Sequence, residues 1–440
     1  MWRLTLLTAI FSGFALAANN CPDRPVATVA SAEQPADVCI PDGFSDVAID
    51  YFDDYSWRVF VSLVWPASAP KRGIADAAKK PGDAGPRVFE TFKSLGEIFH
   101  DDGSAPTAAF DGFDAANENA CRVAEHYGDV ILASANNWAD VGQAGSGDLL
   151  GPLVAQNGRY VRVQTLYNQA AYDFVVRNKY YLRANLPPLP PKDHSVPAMQ
   201  FPFGSTVVKA AWLDLTGFSE AQRKRFYTRT AILRDANTGK CGNVTVGLVG
   251  LHIATKTPSR PQWTWSTYEQ ADLVPPAQPD GPGKFILNDG TDAPMPDENP
   301  LPLVPLAPEP ARPFNVVRSA RTPIHPNTVT ANRHYRALLK GTVWENYQLV
   351  MTQWERVPGN QAIPVPATIN ADASNTFPGV GAGSAFSNLT METFDQNRVQ
   401  LGCMSCHNKA RMNADFMWTV LDHAYPPVIA PSATAVAKGR

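Results

Sequence analysis

Apolar positions recur at helical spacing in only a few stretches of this chain. From Ser45 to Val64, Val47, Tyr51, Tyr55, Val59, Phe60 and Leu63 fall on one stripe before Pro66, which predicts a helix with Trp57 as a core aromatic. Pro326 to Leu339 reads as a second helix, Thr390–Arg398 as the start of a short one, and Ala414–Ala424 as another. Between Asp129 and Asp272 the period shortens. Val130–Ser134, Tyr160–Tyr167, Thr206–Leu213, Phe226–Leu233, Val244–Thr257 and Gln262–Tyr268 are rich in Val, Thr, Tyr and Trp, with turn pairs such as Asn157-Gly158 and Thr238-Gly239 between them. Tyr347–Trp354 adds a further strand. The pattern predicts an α+β, β-rich body built on a large, mainly antiparallel sheet or sandwich, with short helices and long connections.

Composition sharpens this picture. Thirty-nine prolines and thirty glycines in 440 residues cut the chain into short elements, and the Pro-heavy stretch Pro275–Pro313 reads as an extended surface connection. Glycine, alanine and serine dominate Gly379–Ser387. Lys and Arg number 38 against 41 Asp and Glu, a formal net charge of −3, which argues against nucleic acid or an anionic membrane surface as partners. No internal repeat, Gly-rich phosphate loop, HExxH or G-x-S-x-G is present.

The first residues read as an export signal: Arg3, an apolar run from Leu4 to Leu16, and Ala15-Leu16-Ala17 as the cleavage site. Nothing later is apolar for about 18 residues, so no membrane span is expected. The division expected is residues 1–17 as signal peptide, 18–387 as a β-rich body, and 388–440 as a C-terminal segment packed on it, in a periplasmic or secreted protein.

Six cysteines are present. Four of them, Cys21, Cys39, Cys121 and Cys241, form an even set in an oxidising compartment, so two disulfides are expected, with Cys21–Cys39 and Cys121–Cys241 the preferred pairing of three. Buried thiols are the alternative. The other two belong to Cys403-Met404-Ser405-Cys406-His407, a CxxCH pentapeptide. Zinc would need more Cys or His at short spacing, and the next histidine along, His423, lies well beyond the motif with no second CxxC. Two thiols at this spacing can each bond a vinyl group of one haem while the adjacent imidazole reaches the iron. The expectation is one covalent haem c on Cys403 and Cys406, with His407 as proximal ligand.

The stretch from His407 to Arg440 is too short to return a distal ligand in the manner of small one-domain cytochromes. The upstream body must supply most of the pocket. Met412 and Met417 follow the motif too closely to reach the far face, and helix packing is the simpler role for them. Two candidates remain for the sixth position. His252 stands between Gly250 and Ala254 on one face of its strand, where nearly bare backbone would admit a flat ring. Met391 precedes Cys403 by a connection long enough to turn back across the ring. His423 ranks next, and an open sixth position is the further alternative.

Several segments together resemble a family of large bacterial secreted cytochrome c proteins with a single CxxCH near the C-terminus. They are Trp57–Pro66, Val88–Lys93, Val207–Leu213, Val246–Lys256, Gln262–Glu269, Tyr347–Trp354, and Asn388–Gln396 with the haem motif. They span nearly the whole mature chain, which implies one architecture and carries His252, Met391 and the haem residues into matching positions. The resemblance carries no established reaction. The leading expectation is electron transfer with a redox protein partner. The alternatives are a haem enzyme whose open distal site uses His252, Glu392 or Glu269, and a haem-bearing sensor or partner subunit.

Overall fold

The computed structural model describes residues 27–38, 49–106, 109–113, 121, 126–132, 141–142, 152–188, 198–235, 238–275, 285–290, 307–319, 323–354, 387–396, 403, 407 and 410–427. The expected signal peptide, Cys21, Cys39, Met404 and Cys406 lie outside them. The described helices are α1 (Ile49–Leu63), α2 (Leu95–Ile98), α3 (Gln169–Arg177), α4 (Glu220–Arg223), α5 (Pro326–Leu338), α6 (Arg411–Ala414) and α7 (Trp418–His423). The strands are β1 (Lys93–Ser94), β2 (Val130–Leu132), β3 (Val161–Tyr167), β4 (Thr206–Asp214), β5 (Thr228–Arg234), β6 (Cys241–Thr257), β7 (Arg260–Gln270) and β8 (Tyr347–Trp354).

All eight described strands join one strongly curled sheet, a half-barrel, in place of a two-sheet sandwich. Pairing is antiparallel except for β2, which lies parallel to β5. The sheet is therefore mixed, not wholly antiparallel. The 17-residue β6 organises it: β4 runs along one side, while the other side pairs first with β5 and then with β7. Opposite β6, Ala211 pairs Gly250 and the next residue, Trp212, pairs Leu248, which leaves Val249 as an extra residue. Such a bulge bends a strand and shifts its alternation by one. Val246 and Leu248 before it, and Leu251 and Ile253 after it, accordingly enter the same core.

Helices α1 and α5 cover that face. Trp57 stacks on Tyr335 of α5 with centroids 5.2 Å apart and meets Tyr268 of β7 edge-on at 5.3 Å, and Tyr55 Oη donates to Thr255 Oγ1 at 3.0 Å. Asp53 is buried in this layer because two hydroxyls satisfy it, Thr352 and Thr328, each at 2.7 Å. The chemistry of the local ends accounts for the helix boundaries. Pro326 opens α5 behind the His325 cap, and the Asn168 side chain accepts from Ala171 N at the start of α3, a helix the apolar pattern did not predict. Of the stretch expected as a helix over Ala414–Ala424, only α7 forms; α6 ends at Ala414, and Asp415 and Phe416 between them have left-handed backbones (φ 48° and 71°). No described helix is long and apolar enough to cross a membrane.

Candidate functional site

The bulge at Val249 sends Gly250, His252, Ala254 and Lys256 to the face away from α1. Register then builds rows across the strands. Thr165, Lys209, His252, Thr267 and Met351 stand side by side, and the next row holds Tyr167, Val207, Ala254, Trp265 and Gln353.

Two stretches from the C-terminal part of the chain lie on this face. The first, 387–396, is fastened by Asn388, whose Nδ2 donates to Thr267 Oγ1 at 2.8 Å and to Tyr268 O at 2.9 Å, and by Glu269, which accepts from Leu389 N at 2.5 Å. Glu269 is buried and also pairs with Arg318. Burial raises the Glu269 pKa, and the Arg318 charge opposes the rise. The second comprises His407 and residues 410–423. The His407 ring lies 4.2 Å from that of Trp265, Asp415 pairs with Lys256, and Thr419 bonds to Tyr167. His252 stands between the two stretches.

His407 is held in one state. Its Nδ1 lies 2.6 Å from Phe416 O, and because a carbonyl can only accept, Nδ1 carries the proton and the lone pair is left on Nε2. Burial is the main reason its pKa falls to about 4, with His252 and Lys209 lowering it further, so the ring is neutral at pH 7. A neutral imidazole anchored through Nδ1, with Nε2 as donor, is the form in which histidine ligates iron. Cys403, partly buried, packs against the main core.

His252 Nε2 is buried and makes no hydrogen bond, although Glu392 Oε1 is 3.3 Å away. Glu392 is itself oriented by Asn388 N, which donates to its Oε2 at 2.9 Å. These two histidines therefore fit a haem iron in different ways: one has an anchored ring, the other an unsatisfied nitrogen. The space expected beside His252 on the Gly250 side is filled. A Cβ on Gly250 would strike Thr390 Oγ1 and stand 3.3 Å from Asn388 Oδ1 and Met391 Cε, so the bare backbone there admits the 388–391 segment. Ala254, beside Trp265, is the other small neighbour.

Met391 is fully buried in a second apolar cluster with Leu389, Phe394, Val249 and Leu213. Met417 packs in the main core. His423 sits against Phe99 at 5.9 Å, and burial, then Lys209, brings its pKa to about 4. Sequence reasoning did not single out Lys209, Trp265, Asp415 or the Phe416 carbonyl. Lys209 and Trp265 lie within the segments Val207–Leu213 and Gln262–Glu269, and Asp415 and Phe416 within the predicted helix Ala414–Ala424, with no local feature that marks a role in the site.

Cys121 and Cys241 form a disulfide with Cα atoms 5.8 Å apart. In comparisons with known proteins, no family model, no curated protein and no solved structure matches the chain.

Proposed function

We propose that this chain is an exported c-type cytochrome carrying one covalent haem on Cys403 and Cys406, with His407 as proximal ligand, and that it works in electron transfer with a redox protein partner. The observation that carries the reading is the His407 Nδ1–Phe416 O bond, which leaves the histidine of a CxxCH sequence neutral with Nε2 as its electron-pair donor. Bound there, haem would supply a one-electron centre. The chain's own residues anchor and desolvate the proximal ring, and His252 is the distal candidate because its buried Nε2 makes no hydrogen bond.

The disulfide supports an oxidising compartment, periplasmic or secreted. The test is haem staining after denaturing electrophoresis of the mature protein. Staining in the wild type and its loss in a Cys403→Ala, Cys406→Ala double variant is the expected result. Haem that dissociates from the wild type, or staining that persists in the double variant, refutes the reading.

A second reading rests on Glu392. A carboxylate 3.3 Å from His252 makes an acid–base pair of the kind an open distal site needs to activate a small ligand. Five-coordinate high-spin ferrous iron in the wild type would favour that enzyme over the carrier.

A further inference from the structure

The C-terminal stretch turns sharply after α6, and the turn is made without glycine. Asp415 and Phe416 are consecutive left-handed residues (φ 48° and 71°), a conformation that is unfavourable for L-residues and persists only where the surroundings impose it. The surroundings here are specific. The buried Asp415 carboxylate pairs with Lys256 Nζ, itself buried on β6, and accepts from Phe201 N at 2.7 Å. The Phe416 side chain is completely buried, and its N–H bonds back to Ala410 O at 3.3 Å. The product of the turn is the direction of one group, the Phe416 carbonyl, which meets His407 Nδ1 at 2.6 Å. An unpaired aspartate would not be stable at this depth, and an ordinary helical continuation would point that carbonyl along the helix axis and away from His407.

We propose that Asp415, fixed by Lys256 and Phe201, is a positioning residue for the proximal ligand: it holds the Phe416 carbonyl against His407 and so sets the tautomer, ring plane and basicity of that imidazole. The inference rests on the haem reading above. Lys256 lies on the same face of β6 as His252, so one strand carries both the distal candidate and the anchor of the proximal side. An imidazole that donates from Nδ1 to a firm acceptor is a stronger donor at Nε2, and a stronger donor favours ferric over ferrous iron.

The experiment compares haem-loaded wild type with Lys256→Met, Asp415→Asn and Lys256→Arg, each first checked for folding by circular dichroism. Potentiometry reads the redox equilibrium, and ¹⁵N shifts of labelled histidine in the ferrous state read the Nδ1–H bond. Lys256→Met and Asp415→Asn should each move the redox equilibrium toward the ferrous form by up to about tenfold, ~59 mV for one electron, with a changed His407 Nδ1 signal. Lys256→Arg, which keeps the charge, should return most of the way to wild type. Asp415→Asn retains a residue type that tolerates the left-handed region, so it carries the test if Lys256→Met fails to fold. Unchanged potential and unchanged Nδ1 signal in a folded, haem-bearing Asp415→Asn protein would overturn this inference and leave the haem reading intact. Absence of haem from the wild type would instead overturn both.

Discussion

Gly250 and Thr390 occupy what is nearly one volume: a methyl group added to Gly250 would overlap the Thr390 hydroxyl. The contact joins the middle of the longest strand to the segment that precedes the CxxCH motif. It makes the backbone of β6 at that point part of the site's construction.

Gly250→Ala should therefore destabilise the protein by about 1–3 kcal/mol and displace the 388–391 segment, since Asn388 and Met391 also stand 3.3 Å from the added atom. Denaturant unfolding checks the size. Thr390→Ala introduced beside it should recover part of the loss, and a purely additive double variant would show that the two positions are not coupled.

The distal position separates two residues. If His252 is the sixth ligand, His252→Ala should convert low-spin ferric iron to high spin, and the wild type should lack a sulfur-to-iron charge-transfer band. Absorption and paramagnetic resonance spectra decide this. Such a band, abolished by Met391→Ala and untouched by His252→Ala, would transfer the role to Met391, although Met391 is packed in the apolar cluster with Leu389 and Phe394.

Removing the Cys121–Cys241 bridge should cost about 2–5 kcal/mol, because it closes a loop with a sequence separation of 120 residues. Cys241 begins β6, so the loss bears on the strand that carries His252 and Lys256. Unfolding of a Cys121→Ser, Cys241→Ser variant measures it. Alkylation before reduction tests the remaining pair, and modification of Cys21 or Cys39 would exclude a bridge between them.

His423 gives the protein an acid-sensitive element. Burial and Lys209 lower its folded pKa to about 4 from 6.5, so between those values the unfolded chain binds more protons than the folded one. Its contribution is complete above about pH 6.5 and is lost as the pH falls towards 4. Asp415, raised by burial from 3.8 to about 6, acts in the opposite sense, its contribution growing as the pH falls through that window. Replacing His423 by Phe keeps an apolar partner for Phe99 and removes one of these groups. The drop in urea midpoint between pH 7 and pH 4.5 should be smaller in the variant than in the wild type.

Local pattern determined a good deal of this protein. Alternation marked β2 to β7, and Tyr347–Trp354 marked β8 to the residue, with only the short β1 passing unnoticed. Strand period and β-branched content are properties of neighbouring residues, so they are written in the chain itself. The CxxCH motif was legible for the same reason, since its chemistry depends on a short fixed spacing. The placement of Gly250, His252 and Ala254 on one face was legible too.

Tertiary structure decided what that face meets. Nothing local to Val249 announces the bulge, which exists because β4 is one residue short opposite it, and this parity shift sends Leu251 to the aromatic core and His252 away from it. The partners of His252 on either side, Lys209 and Thr267, come from the neighbouring strands β4 and β7, and Glu392 and His407 from the distant C-terminal part of the chain. Asp415 falls in the first turn of the helix that the sequence predicts over Ala414–Ala424. Its pairing with Lys256, 159 residues distant, is what makes a left-handed turn the lower-energy choice and aims the Phe416 carbonyl at His407. Pairings at such separations are set by the packing of the whole sheet, because the free energy that selects them is spread over every contact the sheet makes.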